Sequence, residues 1–570
     1  MRYTHTIAIC LLLSSSVWGQ KLDVKETWLS GYARSILYSD AYENDVEEDT
    51  VSATREMSGH TLLDLAANIK PNDKIFIQGM VRIRNDHGGF WGSGVTFDIR
   101  NLYLRGVVGN AFRYQVGDIN YKLTPYTLYN SDEETSMNEV TSFALLRELN
   151  RYDLFYDDQN TWRQQGVTGE FGLRFKKVIE EMDFTLFTSR LNWAANGGLE
   201  RLQGGGNVQL KYNKHLDLHL TYIDAFDIPG TNDLTAIYSN PVLTSGVGIH
   251  YDTESWNLDL ASEFGQSREN LAIGEEVVER EDYFYDAKVM AEQSEGDLAF
   301  SLGVQEVGPG FRSIGAQTKR IDFDRYPRYL QRYGNEQMLR SIDLLDIIRD
   351  ASIYNTQITP GLMSYDPRFG NVSPYGRATP NRRMMDIEAA WSPDEGPVEL
   401  NLTSRMGQEI QGQGTPEARN FMIFNTSAAL HLDRLLAIDR SIRLDAAYWY
   451  ENTSRSGRES YEDIDLSNAS MSIGLVAEFV QDFEFIAGYR NMNSEGNEFL
   501  LVTDEVGRII TFDPRDYDSQ QQLYAVGLRY NFSENSLLNF QYTQFNLDDR
   551  TDVDEDYSIS DFSIIYRMLF

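Results

Sequence analysis

An all-β chain folded as a transmembrane antiparallel barrel of about 22 strands (20–24) is what this sequence predicts, on three observations. In the last nine residues Phe562, Ile564, Tyr566, Met568 and Phe570 alternate with Ser563, Ile565, Arg567 and Leu569. That is the two-residue period of a strand with one continuous apolar face. Elsewhere, alternating segments are joined in pairs by tight polar turns, and each pair is set off from the next by a longer polar loop. Finally, beyond the first twenty residues no apolar run approaches the roughly 20 residues a membrane helix requires. With 33 Tyr, 29 Phe and 8 Trp, the chain can still furnish the aromatic girdles of a barrel.

Taken in order, residues 1–19 read as a secretory signal peptide. Arg2 precedes an apolar run from Ile7 to Leu13, and Val17-Trp18-Gly19 stands ahead of Gln20, where cleavage is expected. A lipid anchor on Cys10 fits less well, because Ile9 stands where a small residue belongs. Cys10 is the single cysteine, so the mature chain, residues 20–570, is expected to have neither a disulfide nor a thiolate metal site. One texture then runs from Trp28 to Phe570 without a Pro/Ser/Gly-rich linker, which predicts one large domain.

The opening strand is expected over Trp28 to Tyr38. Tight turns follow near Pro71-Asn72-Asp73, Gly109-Asn110, Glu180-Glu181, Asn213-Lys214, Thr253-Glu254, Glu295-Gly296, Asp394-Glu395, Ile438-Asp439, Gln481-Asp482 and Ser533 to Ser536. These give about ten hairpins, and with an opening and a closing strand the even count puts both termini on the periplasmic side. A soluble sandwich or propeller also has short strands and turns. Neither predicts short turns at one end and long loops at the other, and a propeller's period of about 40–50 residues is not found.

The closing strand resembles that of bacterial outer-membrane barrels, whose C-terminal aromatic is read by the assembly machinery; the residues carrying the signal are Phe562, Ile564, Tyr566, Met568 and Phe570. Together with the signal cut before Gln20, Val116-Gly117-Asp118-Ile119 and Leu123-Thr124-Pro125 make the chain look like the large outer-membrane barrels of the Bacteroidota. The resemblance implies a Gram-negative outer-membrane location, with outer-membrane lipid and the barrel-assembly machinery as partners. Strand pattern begins too near the expected mature N-terminus for the plug domain of energy-coupled receptors, which argues against active uptake.

A barrel this wide is not filled by wall side chains alone, so two long extracellular loops are the candidates to occlude it. Residues 125–165 carry Asp132-Glu133-Glu134 and an amphipathic stretch from Val140 to Leu149. Residues 308–383 hold 6 of the 14 prolines and 12 Lys/Arg against 7 Asp/Glu, in a chain of net charge −35. Within them Asn335 can cap a helix with Met338, Ile342 and Leu345 on one face. Such loops either fold into the mouth or lumen or form an outer cap. Arg312, Arg320, Arg325, Arg328, Arg332 and Arg340 are candidates for a constriction favouring anions; alternatively they neutralise wall carboxylates such as Asp183, Asp217, Asp259, Glu399 and Asp445. Arg82, Arg84, Arg113, Asp217, Arg443 and Arg529 are expected to line the lumen.

Enzyme and metal signatures are weak. His215, Asp217 and His219 share a strand face at roughly 6.8 Å per step, too far apart to chelate one ion without another strand. Asp552, Asp554 and Asp556 have the spacing of a calcium loop, but Tyr557 and Ser563 stand where Gly and Glu are required. No G-x-S-x-G, H-E-x-x-H or Walker motif is present, no cofactor or metal is expected, and the acidic surface disfavours nucleic acid. The sequence therefore predicts a porin-like channel for small polar or charged solutes. The alternative is a plugged barrel acting as an envelope assembly, secretion or surface-interaction partner.

Overall fold

The computed structural model describes residues 26–44, 54–87, 95–119, 121–128, 140–154, 164–176, 179–192, 200–229, 236–273, 276–294, 296–316, 367–374, 376–503, 509–551 and 556–570. Twenty-two strands form one sheet. The first half comprises β1 (Glu26–Asn44), β2 (Thr54–Asn72), β3 (Ile75–Asp86), β4 (Val95–Val108), β5 (Phe112–Ile119), β6 (Gln164–Arg174), β7 (Glu181–Asn192), β8 (Arg201–Asn213), β9 (Leu216–Asp227), β10 (Ala236–Asp252) and β11 (Trp256–Ile273). The second comprises β12 (Glu276–Gln293), β13 (Leu298–Val307), β14 (Arg382–Trp391), β15 (Val398–Gln408), β16 (Asn420–His431), β17 (Ile442–Arg455), β18 (Ile464–Val480), β19 (Phe483–Thr503), β20 (Ile509–Ser533), β21 (Ser536–Asp549) and β22 (Tyr557–Leu569).

Each strand pairs antiparallel with its sequence neighbours, and β22 returns to β1 from Tyr32↔Leu569 to Asn44↔Tyr557. The seam is finished by Gly31, whose N–H donates to the Phe570 carbonyl at 2.8 Å and whose carbonyl accepts from the Phe570 N–H at 3.0 Å. The sheet therefore has no free edge, the condition for crossing hydrocarbon with satisfied backbone groups.

The two faces of the wall differ as a membrane requires. Outward positions are large and apolar: Leu218, Leu220 and Tyr222 on β9, Phe300, Leu302 and Val304 on β13, Tyr524, Val526 and Leu528 on β20 are all exposed. Aromatic residues cluster on this face near the turns, where Phe483 lies 4.4 Å from Tyr530 and Phe532 packs edge-on against Tyr530 at 4.7 Å. Inward positions on these and the neighbouring strands are polar and buried, among them Thr221, Gln305, Gln521, Gln541 and Ser563. The fold is thus a transmembrane β-barrel with an apolar belt and a polar lumen.

All ten expected turn positions fall between consecutive strands at one end of the barrel. Three boundaries differ from expectation. The opening strand spans Glu26–Asn44, longer at both ends than Trp28 to Tyr38. The connection at Ile438-Asp439 is no tight turn but a short helix, α2 (Leu432–Leu436), closed by Ala437 in the left-handed region at φ 50°. The amphipathic stretch starting at Val140 continues to Leu154 as helix α1 (Thr141–Leu154).

Candidate functional site

The described parts of both long connections pack on the inner face of the wall, on arcs that overlap at β17 to β21. Helix α1 lies against β1, β2 and β17 to β22. Phe143, Leu146 and Leu149 recur at helical spacing and bury against Ile36, Leu62, Trp449, Leu523, Phe545 and Ile565. Those wall residues are apolar where the neighbouring inward positions are polar, which is the trace the helix leaves in the strand sequences. The helix start is seated in a notch: Gly474 and Gly488 face each other across β18 and β19. A Cβ on Gly488 would stand 2.3 Å from Ser142 Oγ, and one on Gly474 2.9 Å. Here only glycine lets the helix reach the wall. Thr141 N–H donates to Asp445 Oδ2 at 3.0 Å, placing a carboxylate at the positive end of the helix.

The other end of α1 is held by charge and stacking. Tyr152 packs on Tyr32 with ring centroids 4.1 Å apart, and its hydroxyl donates to Asp64. Arg82 grips Asp64 with two bonds of 2.8 and 2.7 Å. Arg100 donates to the Tyr152 carbonyl and lies 4.3 Å over its ring. Burial, reinforced by the Asp64 carboxylate, pushes the Tyr152 phenol well above its usual range. Midway, Arg567 donates to Glu148.

Residues 121–128, 308–316, 367–374 and 376–381 form the second inner layer, against β7 and β9 to β15, with Pro367, Arg368, Asn371 and Val372 reaching on to β17 to β21. Tyr126 stacks on Phe284 at 3.8 Å, and Phe311 meets Phe284 edge-on at 5.2 Å. The Tyr126 hydroxyl donates to Asp286 at 2.5 Å. Arg377 bridges Asp286 at 2.6 Å and Asp386 at 3.2 Å, and Arg405 approaches Asp386 at 2.9 Å. Burial opposes the charge on Arg377, but Tyr126, Asp286 and Asp386 outweigh it and hold the guanidinium protonated beyond its normal range. Burial also raises the Tyr126 phenol well above its ordinary value. A neighbouring knot ties Asn371 to Glu498 at 2.7 Å, and Arg419 to Glu498 and Glu409 at 3.0 Å each.

Of the six arginines read as constriction candidates, Arg312 is described. Its guanidinium donates to the carbonyls of Pro309 and Phe311 at 3.1 and 2.7 Å, so it braces its own loop. Arg320, Arg325, Arg328, Arg332 and Arg340 lie outside the described residues, as do the helix read from Asn335 and the acidic positions Asp552 and Asp554. The described arginines of residues 308–383 that meet wall carboxylates are others: Arg377 as above, Arg368, 3.9 Å from Asp549, and Arg383, 2.5 Å from Glu306.

The six residues read as lumen-lining all lie on inward positions, and each has an acidic or basic partner. Arg82 pairs with Asp64, Arg84 with Asp86 at 2.8 Å, Arg113 with Glu170 at 4.0 Å, Arg443 with Asp445 at 2.7 Å and Arg529 with Glu484 at 3.3 Å. Asp217 meets His250 at 3.0 Å, and the other side of that imidazole meets Asp259 at 2.5 Å. His219 faces Glu263 at 3.9 Å. Among the described residues no group of three His, Cys, Asp or Glu is arranged to hold a metal ion.

Sequence reading did not single out Asp64, Tyr126, Tyr152, Asp286, Arg377, Asp386, Arg405 or the glycine pair. Their partners are 88 residues apart for Tyr152 and Asp64 and 160 for Tyr126 and Asp286, and the docking of the inner segments on the wall brings them together. One signal was available: apolar side chains on the polar face of β1, β2, β20 and β22.

No family model and no curated protein matches the chain. Among solved structures, it aligns over 95% of its length with 99% of the outer membrane protein OpdK from Pseudomonas aeruginosa, at 8% identity and a TM-score of 0.33. It aligns over 96% with 99% of Pseudomonas aeruginosa OccK5 (OpdH), at 10% identity and 0.35. For a copper transporter, OprC, 94% of this chain aligns with 80% of that one, at 10% identity and 0.46. At these scores the architecture rests on the strand register itself, and no residue role is taken from these proteins.

Proposed function

We propose that the chain is an outer-membrane channel of a Gram-negative envelope that passes small polar or charged solutes passively. The observation that carries this reading is the solvation of the inner face toward the turn end. There the side chains of Arg113, Asp217 and His250 are 76%, 45% and 40% exposed although they point inward, whereas wall positions under α1 are sealed. Where an inner layer covers the wall, the wall side chains are instead taken up by it, packed and apolar under α1 and paired with Arg377 at Asp286 and Asp386. Charged, wet side chains are what a solute path requires, and the two inner layers narrow that path. By strand parity the turn end is periplasmic and the loop end extracellular.

The mixed sign of the paired lumen charges predicts weak ion selectivity. The test is swelling of liposomes containing the refolded barrel in isosmotic sugars of increasing size. Swelling that declines with solute size supports the reading, and no swelling above that of empty liposomes rejects it.

A further inference from the structure

The turn end of the lumen also holds a pocket of about 620 Å³ that neither inner layer fills, walled by β1 to β6. Trp28, Lys70, Phe76, Arg105 and Arg113 reach it from successive strands, and Lys74 from the turn between β2 and β3. Four cations thus converge, against the two carboxylates of Asp73 and Glu170 on the same lining, in a chain of net charge −35. Two have acidic partners: Lys70 lies 3.7 Å from Glu26, and Arg113 lies 4.0 Å from Glu170, which also accepts from the Tyr121 hydroxyl at 2.8 Å. Among the described residues no carboxylate comes within 4.0 Å of the Lys74 ammonium or the Arg105 guanidinium. Arg105 instead lies 4.5 Å over the ring of Phe76 and 6.0 Å from that of Tyr103. Trp28 and Tyr103 flank Phe76 with centroids 5.8 and 6.0 Å away, which makes a row of three rings with the guanidinium over the middle one.

A guanidinium stacked on a ring keeps its N–H edge free, and that edge matches a carboxylate with two parallel bonds. The rings beside it offer faces to a flat apolar group, and the volume lies within the range of small-molecule sites. We propose that this pocket binds organic anions carrying a flat ring, aryl carboxylates being the simplest: Arg105 takes the carboxylate, Lys74 adds a second positive charge, and Trp28 and Phe76 take the ring. The inference deepens the channel reading, on which it rests only for the route by which a solute arrives.

The experiment is ¹⁹F line broadening of 4-fluorobenzoate by the full-length refolded barrel in detergent, with 4-fluorobenzyl alcohol as the uncharged control. Folding of every variant is checked by heat-modifiable migration. The acid is expected to titrate to saturation and the alcohol not to broaden, with Arg105→Gln weakening binding at least about tenfold and Phe76→Leu about threefold or more. Equal broadening by the alcohol, or unchanged binding in folded Arg105→Gln, overturns the site. A conducting barrel that fails to bind the acid removes the site and leaves the channel. Arg105-dependent binding by a barrel that does not conduct establishes the site and removes the channel.

Discussion

At the scale of the residue, the interior is organised by charges that are buried only because each meets its complement. Arg377 is the clearest case: two wall carboxylates and the Tyr126 hydroxyl converge on one contact. Removing one partner of a buried pair leaves the other uncompensated, at a cost of about 3–5 kcal/mol. Arg377→Gln is therefore expected to lower the unfolding midpoint in detergent, and Asp286→Asn in the same chain to recover part of the loss, since Asp386 keeps Arg405; a double variant worse than the single contradicts the network. The phenols give a pH dependence. Tyr126 and Tyr152 are both pushed up by burial, so in the folded barrel they stay neutral at pH values where the unfolded chain ionises. That contribution is complete below the ordinary tyrosine pKa of about 10 and is lost as pH rises beyond it. Thermal melts from pH 8 to 11 should fall less steeply for Tyr152→Phe than for the wild-type chain.

At the scale of the element, α1 shows what strand periodicity conceals. The hairpins were legible because a period of two and a polar turn are local signals, and the tight turns from Pro71 to Ser536 needed nothing else. The Ile438 connection was misread because the helical bonds of Leu432–Leu436 occupy residues that also resemble a turn. The helix at Val140 was legible as amphipathic, but not its seat, since Gly474 and Gly488 read as ordinary weak points in two strands until register makes them one notch. Arg312 and Arg377 sit in the same positive connection, and sequence gave no reason to prefer the second. Its role depends on Asp286 and Asp386, which are brought together by the pairing of β12, β13 and β14. Gly488→Val fills the notch where even one Cβ stands 2.3 Å from Ser142 Oγ. The helix start must then leave the wall, and liposome swelling in a given sugar should change by at least about twofold while the barrel still folds. An unchanged rate, with protease resistance at residues 140–154 also unchanged, contradicts the seat.

At the scale of the whole molecule, one alternation serves two solvents. Outward side chains meet lipid and inward ones meet water or the inner layers, so the cost of a charge depends on the parity of its position. Leu302→Arg, on the outward face of β13, is expected to cost about 2–4 kcal/mol when the barrel folds into bilayers, whereas Lys288 sits inward on β12 at little cost because Glu388 meets it at 2.7 Å. A Leu302→Arg barrel that folds into vesicles as readily as the wild type contradicts the assignment of faces. The central claim is that the inner layers narrow the barrel without sealing it, and single-channel recording of the purified, refolded barrel in a planar bilayer tests it most directly. Discrete conductance steps, with a reversal potential near zero in a salt gradient, are the result predicted from a lumen of paired, mixed charges. A correctly folded barrel that stays silent would contradict the claim and mean that the lumen is closed.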